Sequence, residues 1–101
     1  MAVYQLTLFY PSLKANEGKL RGIQAEMKAI SGDNWRVLSA GEQVCAIGFV
    51  TEIEPQQLEA RLSAYKDEHF HFLLVEVRAI VAGYLSRHIW QWFASRIPLA
   101  S

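Results

Sequence analysis

The chain is short of several things, and each shortage removes a class of function. Among its 101 residues there is one cysteine, Cys45, so no internal disulfide forms and no cysteine pair suggests a zinc site. Neither sign of charge is in excess: ten basic residues balance ten acidic ones, and nothing advertises a nucleic acid, a membrane surface or an acidic partner. The longest apolar run, "FLLVEVRAIVAGYL", is interrupted by Glu76 and Arg78 and does not make a membrane span. The opening "MAVYQLTLFY" lacks the basic start and small-residue cleavage site of a signal peptide. There is no internal repeat and no low-complexity linker. These absences point to one domain over residues 1–101 in a reducing cytoplasm, with no membrane association.

What is present is ordinary for a globular core, with 51% of residues apolar and 20% charged. From Val3 to Tyr10 the residues alternate, Tyr4, Leu6, Leu8 and Tyr10 against Val3, Gln5, Thr7 and Phe9, and Pro11 ends the strand. Leu20, Ile23, Met27 and Ile30 then form one helical stripe, with Asn16 as its cap and Gly32 as its stop. "NWRVLSAGEQVCAIGFV" reads as two strands about a turn at Ala40-Gly41-Glu42. Pro55 opens a second helix with Leu58, Leu62 and Tyr65 on one face. A fourth strand alternates Phe70, Phe72 and Leu74 against His71, Leu73 and Val75. "SRHIWQWFASRI" closes the chain as a helix capped by Ser86, with Ile89, Phe93 and Ile97 as its stripe and Trp90 and Trp92 beside it. The order β-α-β-β-α-β with an extra C-terminal helix predicts an α+β, ferredoxin-like antiparallel sheet with two helices on one face. The other face, expected to carry Phe9, Ile47 and Phe49, needs the C-terminal helix or a second subunit to cover it.

Catalytic chemistry finds no footing. The strand end Tyr10-Pro11-Ser12 offers no carboxylate for a metal, and Asp33, Glu42, Glu52 and Glu54 fall at turns and strand ends. His69 and His71 form a pair without a third ligand, and His88 is remote on the last helix. Cys45 falls within a strand, where a free thiol behaves as a small hydrophobe, and Ser12 has no nucleophile elbow. No catalytic residue, metal or cofactor is expected. Binding surfaces fare better. Trp90, Trp92 and Phe93 suit an interface, because aromatic side chains bury large area with little entropy to lose. Phe9 and Phe49, with Arg36, Arg78, Arg87 and Arg96, suit a single-stranded nucleic acid stacked on the sheet. Gly48-Phe49-Val50 resembles the core of the third-strand signature of RNA-recognition domains, without that signature's basic residue and with Ala46-Ile47 in place of its paired aromatics.

The passages "NWRVLSAGEQVCAIGFVTEIEPQQLEARL" and "HFLLVEVRAIVAGYLSRHIWQWF" together resemble the small stand-alone relatives of the CRISPR-adaptation nuclease-like proteins. The shared pattern is a Trp-containing second strand, a short acidic turn leading to a helix, and a fourth strand leading to a tryptophan-bearing helix. The resemblance implies a ferredoxin-like fold and molecules paired through their sheets, with some members cutting RNA or DNA with a metal and others purely structural. The family's functional residue is an Asp ending the first strand, after a Tyr. Here Tyr10 is followed by Pro11, so the resemblance implies the fold and the pairing without the nuclease. The expectation is a non-catalytic binding or regulatory homodimer, with a protein partner possible. Single-stranded nucleic-acid binding, or descent from a nuclease that lost its Asp, stands as the alternative.

Overall fold

The computed structural model describes residues 1–80 and 86–97. The end of the apolar run Phe72–Leu85 and the last residues of the chain lie outside them. The elements are β1 (Ala2–Phe9), α1 (Glu17–Ser31), β2 (Trp35–Ala40), β3 (Val44–Thr51), α2 (Pro55–Ser63), β4 (His71–Glu76) and α3 (Arg87–Ala94). The strands form one antiparallel sheet in the order β2-β3-β1-β4, the ferredoxin-like order that the sequence predicts. Among the described residues no helix is long and apolar enough to cross a membrane.

The alternation of β1 decides where the main core forms. Tyr4, Leu6, Leu8 and, just past the strand, Tyr10 share a face and are buried under α1 and α2. In an antiparallel ladder, directly opposed residues share a face. Tyr4 therefore brings Phe49 with it, Leu6 brings Ile47 and Leu8 brings Cys45. Tyr4 and Phe49 stack at 5.4 Å between ring centres. The helices answer with the predicted stripes: Leu20, Ile23 and Met27 from α1, Leu58 and Leu62 from α2, with Ile30 and Tyr65 at the margin. β4 adds Phe72 and Leu74 on the same side, with Phe70 just before it.

This register corrects one expectation. Ile47 and Phe49 do not lie on the open face; both are sealed in the helix-covered core. Only Phe9 of that trio faces the other way, half-exposed and opposite Val44.

Local signals act largely as expected, with two exceptions at the caps. Gly32 ends α1 at φ 61°, a conformation that suits glycine, and its N–H donates to the Lys28 carbonyl at 2.9 Å. Asn16 and Ser86 occupy the predicted cap positions, yet neither side chain makes a capping bond. The Asn16 amide instead donates to the Ser12 carbonyl at 2.8 Å, bracing the turn before α1.

The second face carries α3, laid on its own sheet. Ile89, Trp92, Phe93 and Ile97 bury against Val3 and Val50, with Leu38, Val77 and Ile80 at the edge. The Trp92 ring approaches so closely that a Cβ at Gly48 would stand 2.8 Å from it. Arg96 locks the end of the helix: its guanidinium stacks 4.4 Å from the Trp92 ring centre, and its Nε donates to Asn34 Oδ1 at 2.9 Å. Burial, then the nearby Arg36 charge, lowers its pKa from the ordinary arginine value.

The turn before β4 is organised by Asp67. Its Oδ1 accepts the N–H groups of His69 at 2.8 Å and Phe70 at 2.9 Å, and its Oδ2 accepts from the Lys19 ammonium. The Lys19 bond, followed by the backbone donors, holds this carboxyl below its ordinary value of 3.8. A depressed folded-state pKa contributes stability that is present above the unfolded value and lost as pH falls through the folded one. Acid titration of Asp67→Asn against the parent checks this. The parent's extra stability should be visible near neutrality and vanish below the ordinary carboxyl range, whereas a constant difference down to strong acid contradicts it.

Candidate interaction surface

The face opposite α1 and α2 is a grid fixed by register. Its first row runs Val77, Val3 and Val50, with Asn34 beyond, and lies beneath α3. Next come Val75, Gln5, Gly48 and Arg36, then Leu73, Thr7 and Ala46, and finally His71, Phe9 and Val44. Helix α3 seals the first row and the β2–β3 side, where Trp92 meets Gly48 and Leu38. The remainder has no cover among the described residues. There Phe9 is 43% exposed, Val44 40%, Leu73 54% and Val75 41%. Half-covered antiparallel sheets normally present polar side chains to water. Here apolar ones lie along adjacent strands, with Thr7, Gln5 and His71 between them.

The aromatic set expected at an interface divides. Trp92 and Phe93 are core residues, packed edge to face at 5.2 Å under the sheet's own helix. The expectation placed both at an interface; in this chain they are buried against the sheet and leave little surface exposed. Trp90 stands 200° round the helix from Trp92 at 100° per residue and stays half-buried, so it alone of the three retains surface.

The nucleic-acid set also divides. Phe49 is inside the core and Phe9 outside, so the two rings lie on opposite faces and form no shared stacking platform. Arg36 stands beside Arg96, and Arg78 and Arg96 line one shallow depression with Val3 and Ile97. Arg87 opens α3 and Arg96 lies beyond its last residue, Ala94, so the helix's length of about 12 Å separates the two. Arg96 is committed to Asn34 and the Trp92 carbonyl, and Arg78 is paired with Glu76.

Residues weighed for chemistry are in structural roles. The Tyr10 hydroxyl donates to the Gly41 carbonyl at 2.7 Å and its ring stacks on Phe70 at 5.9 Å, clamping the β2–β3 turn against the end of β1. Burial raises the pKa of Tyr10, and likewise of the Cys45 thiol, which packs beneath α1 as a hydrophobe rather than a nucleophile. His69 and His71 are exposed, with the His71 Nε2 2.9 Å from the Glu68 carbonyl. No group of three metal-ligating side chains gathers among the described residues.

Three surface residues escaped the sequence reading as sites: Val44, Leu73 and Val75. The signal was there in "HFLLVE", where both faces of a strand are apolar although one helix layer covers only one of them. Comparison of the chain with family models, with curated proteins and with solved structures returns no match of any kind. The fold and this surface define an α+β sandwich whose sheet is covered on one side and half-covered on the other.

Proposed function

We propose that the protein is a non-catalytic binding or regulatory protein that works as a homodimer through the uncovered part of its sheet, with Trp90 as the aromatic of α3 still able to contribute. The observation that carries this reading is the adjacent exposure of Phe9, Val44, Leu73 and Val75 on a face that α3 otherwise seals. Apolar area left in water is stabilised by burial at roughly 25 cal/mol per Å² of surface removed, and association entropy offsets part of that gain. A second copy is the partner present whenever the protein is.

Single-stranded nucleic-acid binding is the second reading, supported by Arg36 standing opposite Gly48 and Arg96 stacking on the Trp92 ring that lies over the same glycine. It is the weaker one because Phe49, half of its stacking platform, is buried. On the preferred reading, labelled single strands show no binding that falls steeply with salt.

The test is a dilution series followed by backbone-amide NMR. The amides of Phe9, Val44, Leu73 and Val75 should move with protein concentration, while those of α1 and α2 stay fixed. Spectra independent of concentration into the high micromolar range would sink the reading.

A further inference from the structure

The backbone of β4 shows how a second copy fits. Tyr10 N–H donates to the Gln43 carbonyl at 3.1 Å, and Val77 N–H donates to the Val3 carbonyl at 2.8 Å. Bonding direction alternates along an antiparallel strand, so the even-numbered residues of β1 bond β3 and the odd-numbered ones bond β4. The register then aims the backbone groups of His71, Leu73 and Val75 at β1, and those of Phe72, Leu74 and Glu76 out of the sheet. Phe70 would be next in the outward series, but Asp67 satisfies both its groups. Its N–H donates to Asp67 Oδ1 at 2.9 Å, and its carbonyl accepts the Asp67 N–H at 3.1 Å. Among the described residues the free edge is therefore Phe72, Leu74 and Glu76.

Among the described residues this edge has few of the usual defences. Exposed edges are normally blunted by bulges, prolines or charges placed along the strand. β2, the opposite edge, has such devices: its ladder slips between Val37 and Ser39, and Arg36 projects from it. β4 has an unbroken register and no proline from His71 to Glu76, and its one formal charge, Glu76, sits at the end of the strand.

We propose that two copies pair β4 to β4, antiparallel, about a two-fold axis at Leu74, joining both sheets into one. This rests on the self-association reading above and names its geometry. With Leu74 on the axis, Phe72 lies opposite the partner's Glu76, and every free edge group finds a mate. Leu73 falls opposite the partner's Val75 in a non-hydrogen-bonded pair, where side chains approach most closely. These are the two exposed apolar residues of the strand. Centring on Leu73 instead would set Glu76 against Phe70, whose groups are already used. Charge agrees with the chosen register. Arg78, 83% exposed just past one end of β4, falls opposite the partner's Phe70, two residues from the partner's Glu68, which is 89% exposed. Phe9 and Val44 from both copies then lie on one extended face.

A charge swap tests the register. Leu73→Lys or Val75→Glu alone should weaken dimerisation at least about tenfold, because each change is felt at two symmetry-related pairs. Leu73→Lys with Val75→Glu in the same chain sets each lysine opposite a partner glutamate and should recover most of the loss, the non-additivity being the signature of a direct pair. Glu76→Pro removes an N–H that β1 does not use and should also separate the copies, with far-UV circular dichroism confirming that each variant is folded. A double variant no better than the worse single, or Glu76→Pro dimerising like the parent, overturns the edge pairing and leaves self-association standing. A parent chain that never dimerises removes both.

Discussion

Trp92→Ala removes about 3–5 kcal/mol of folding stability, the usual cost of emptying a large aromatic site in a core. The whole domain has roughly 5–15 kcal/mol to lose, so the variant sits near the edge of folding. The size follows from what the ring touches. Trp92 is 5% exposed, sets the Cζ3 and Cη2 end of its ring over Gly48, packs edge to face with Phe93 and carries the Arg96 guanidinium over its ring. Alanine forfeits all of these together, and above Gly48 only Leu38 Cδ2, 3.5 Å from where a Cβ would stand, remains beside the vacated space. Urea unfolding with circular dichroism and tryptophan fluorescence measures the loss. If Trp92 instead served an intermolecular contact, the variant would keep its parent stability at high dilution and lose only its association. A loss under about 1 kcal/mol at dilution therefore contradicts the intramolecular docking of α3.

Phe49→Ala carries a comparable cost, about 3–5 kcal/mol, from the opposite side of the sheet. Phe49 is fully buried, stacked on Tyr4 and opposite it in register. Phe9→Ala is the internal control. Its ring is nearly half in water, so its truncation should cost well under 1.5 kcal/mol, the lower bound for losing a buried side chain of this size. Denaturant midpoints for the two variants decide which phenylalanine belongs to the core. Equal effects would mean that the register of β1 on β3 is wrong by one residue, because a one-residue slip exchanges the faces.

That sensitivity to register explains what was legible in the sequence. β1 could be read because its alternation sets Gln5 and Thr7 against Tyr4, Leu6 and Leu8. α1 could be read from its stripe and Gly32, and α2 from Pro55. β3 could not, because Cys45, Ile47 and Phe49 are apolar and so are Val44, Ala46 and Val50 on the other parity. Nothing local says which set meets the helices; pairing with β1 does. The C-terminal helix was ambiguous for a related reason. Its apolar positions wrap too far round for both tryptophans to face inward, and Gly48 in a distant strand selects Trp92. Tyr10 also eluded the reading, since its partner Gly41 lies across the sheet. The candidate surface was visible only as an expectation of an open face. Its actual members follow from where α3 comes to rest.

The uncovered part of the sheet unites these threads. α3 stabilises one portion of the second face by intramolecular burial and leaves Phe9, Val44, Leu73 and Val75 for another molecule. Pairing along the β4 edge takes up Leu73 and Val75, while Phe9 and Val44 stay on the face of the joined sheet. Interfaces built on one strand pair are small beside the roughly 1,600 Å² of a standard complex, so a concentration-dependent dimer is expected rather than a permanent one.

Sedimentation equilibrium of the parent chain over a wide concentration range tests this most directly. The account predicts a weight-average mass rising from the 11.5 kDa of one chain toward twice that value, with Leu73→Lys holding at the monomer over the same range. A parent chain that stays at the monomer mass at every concentration would contradict it.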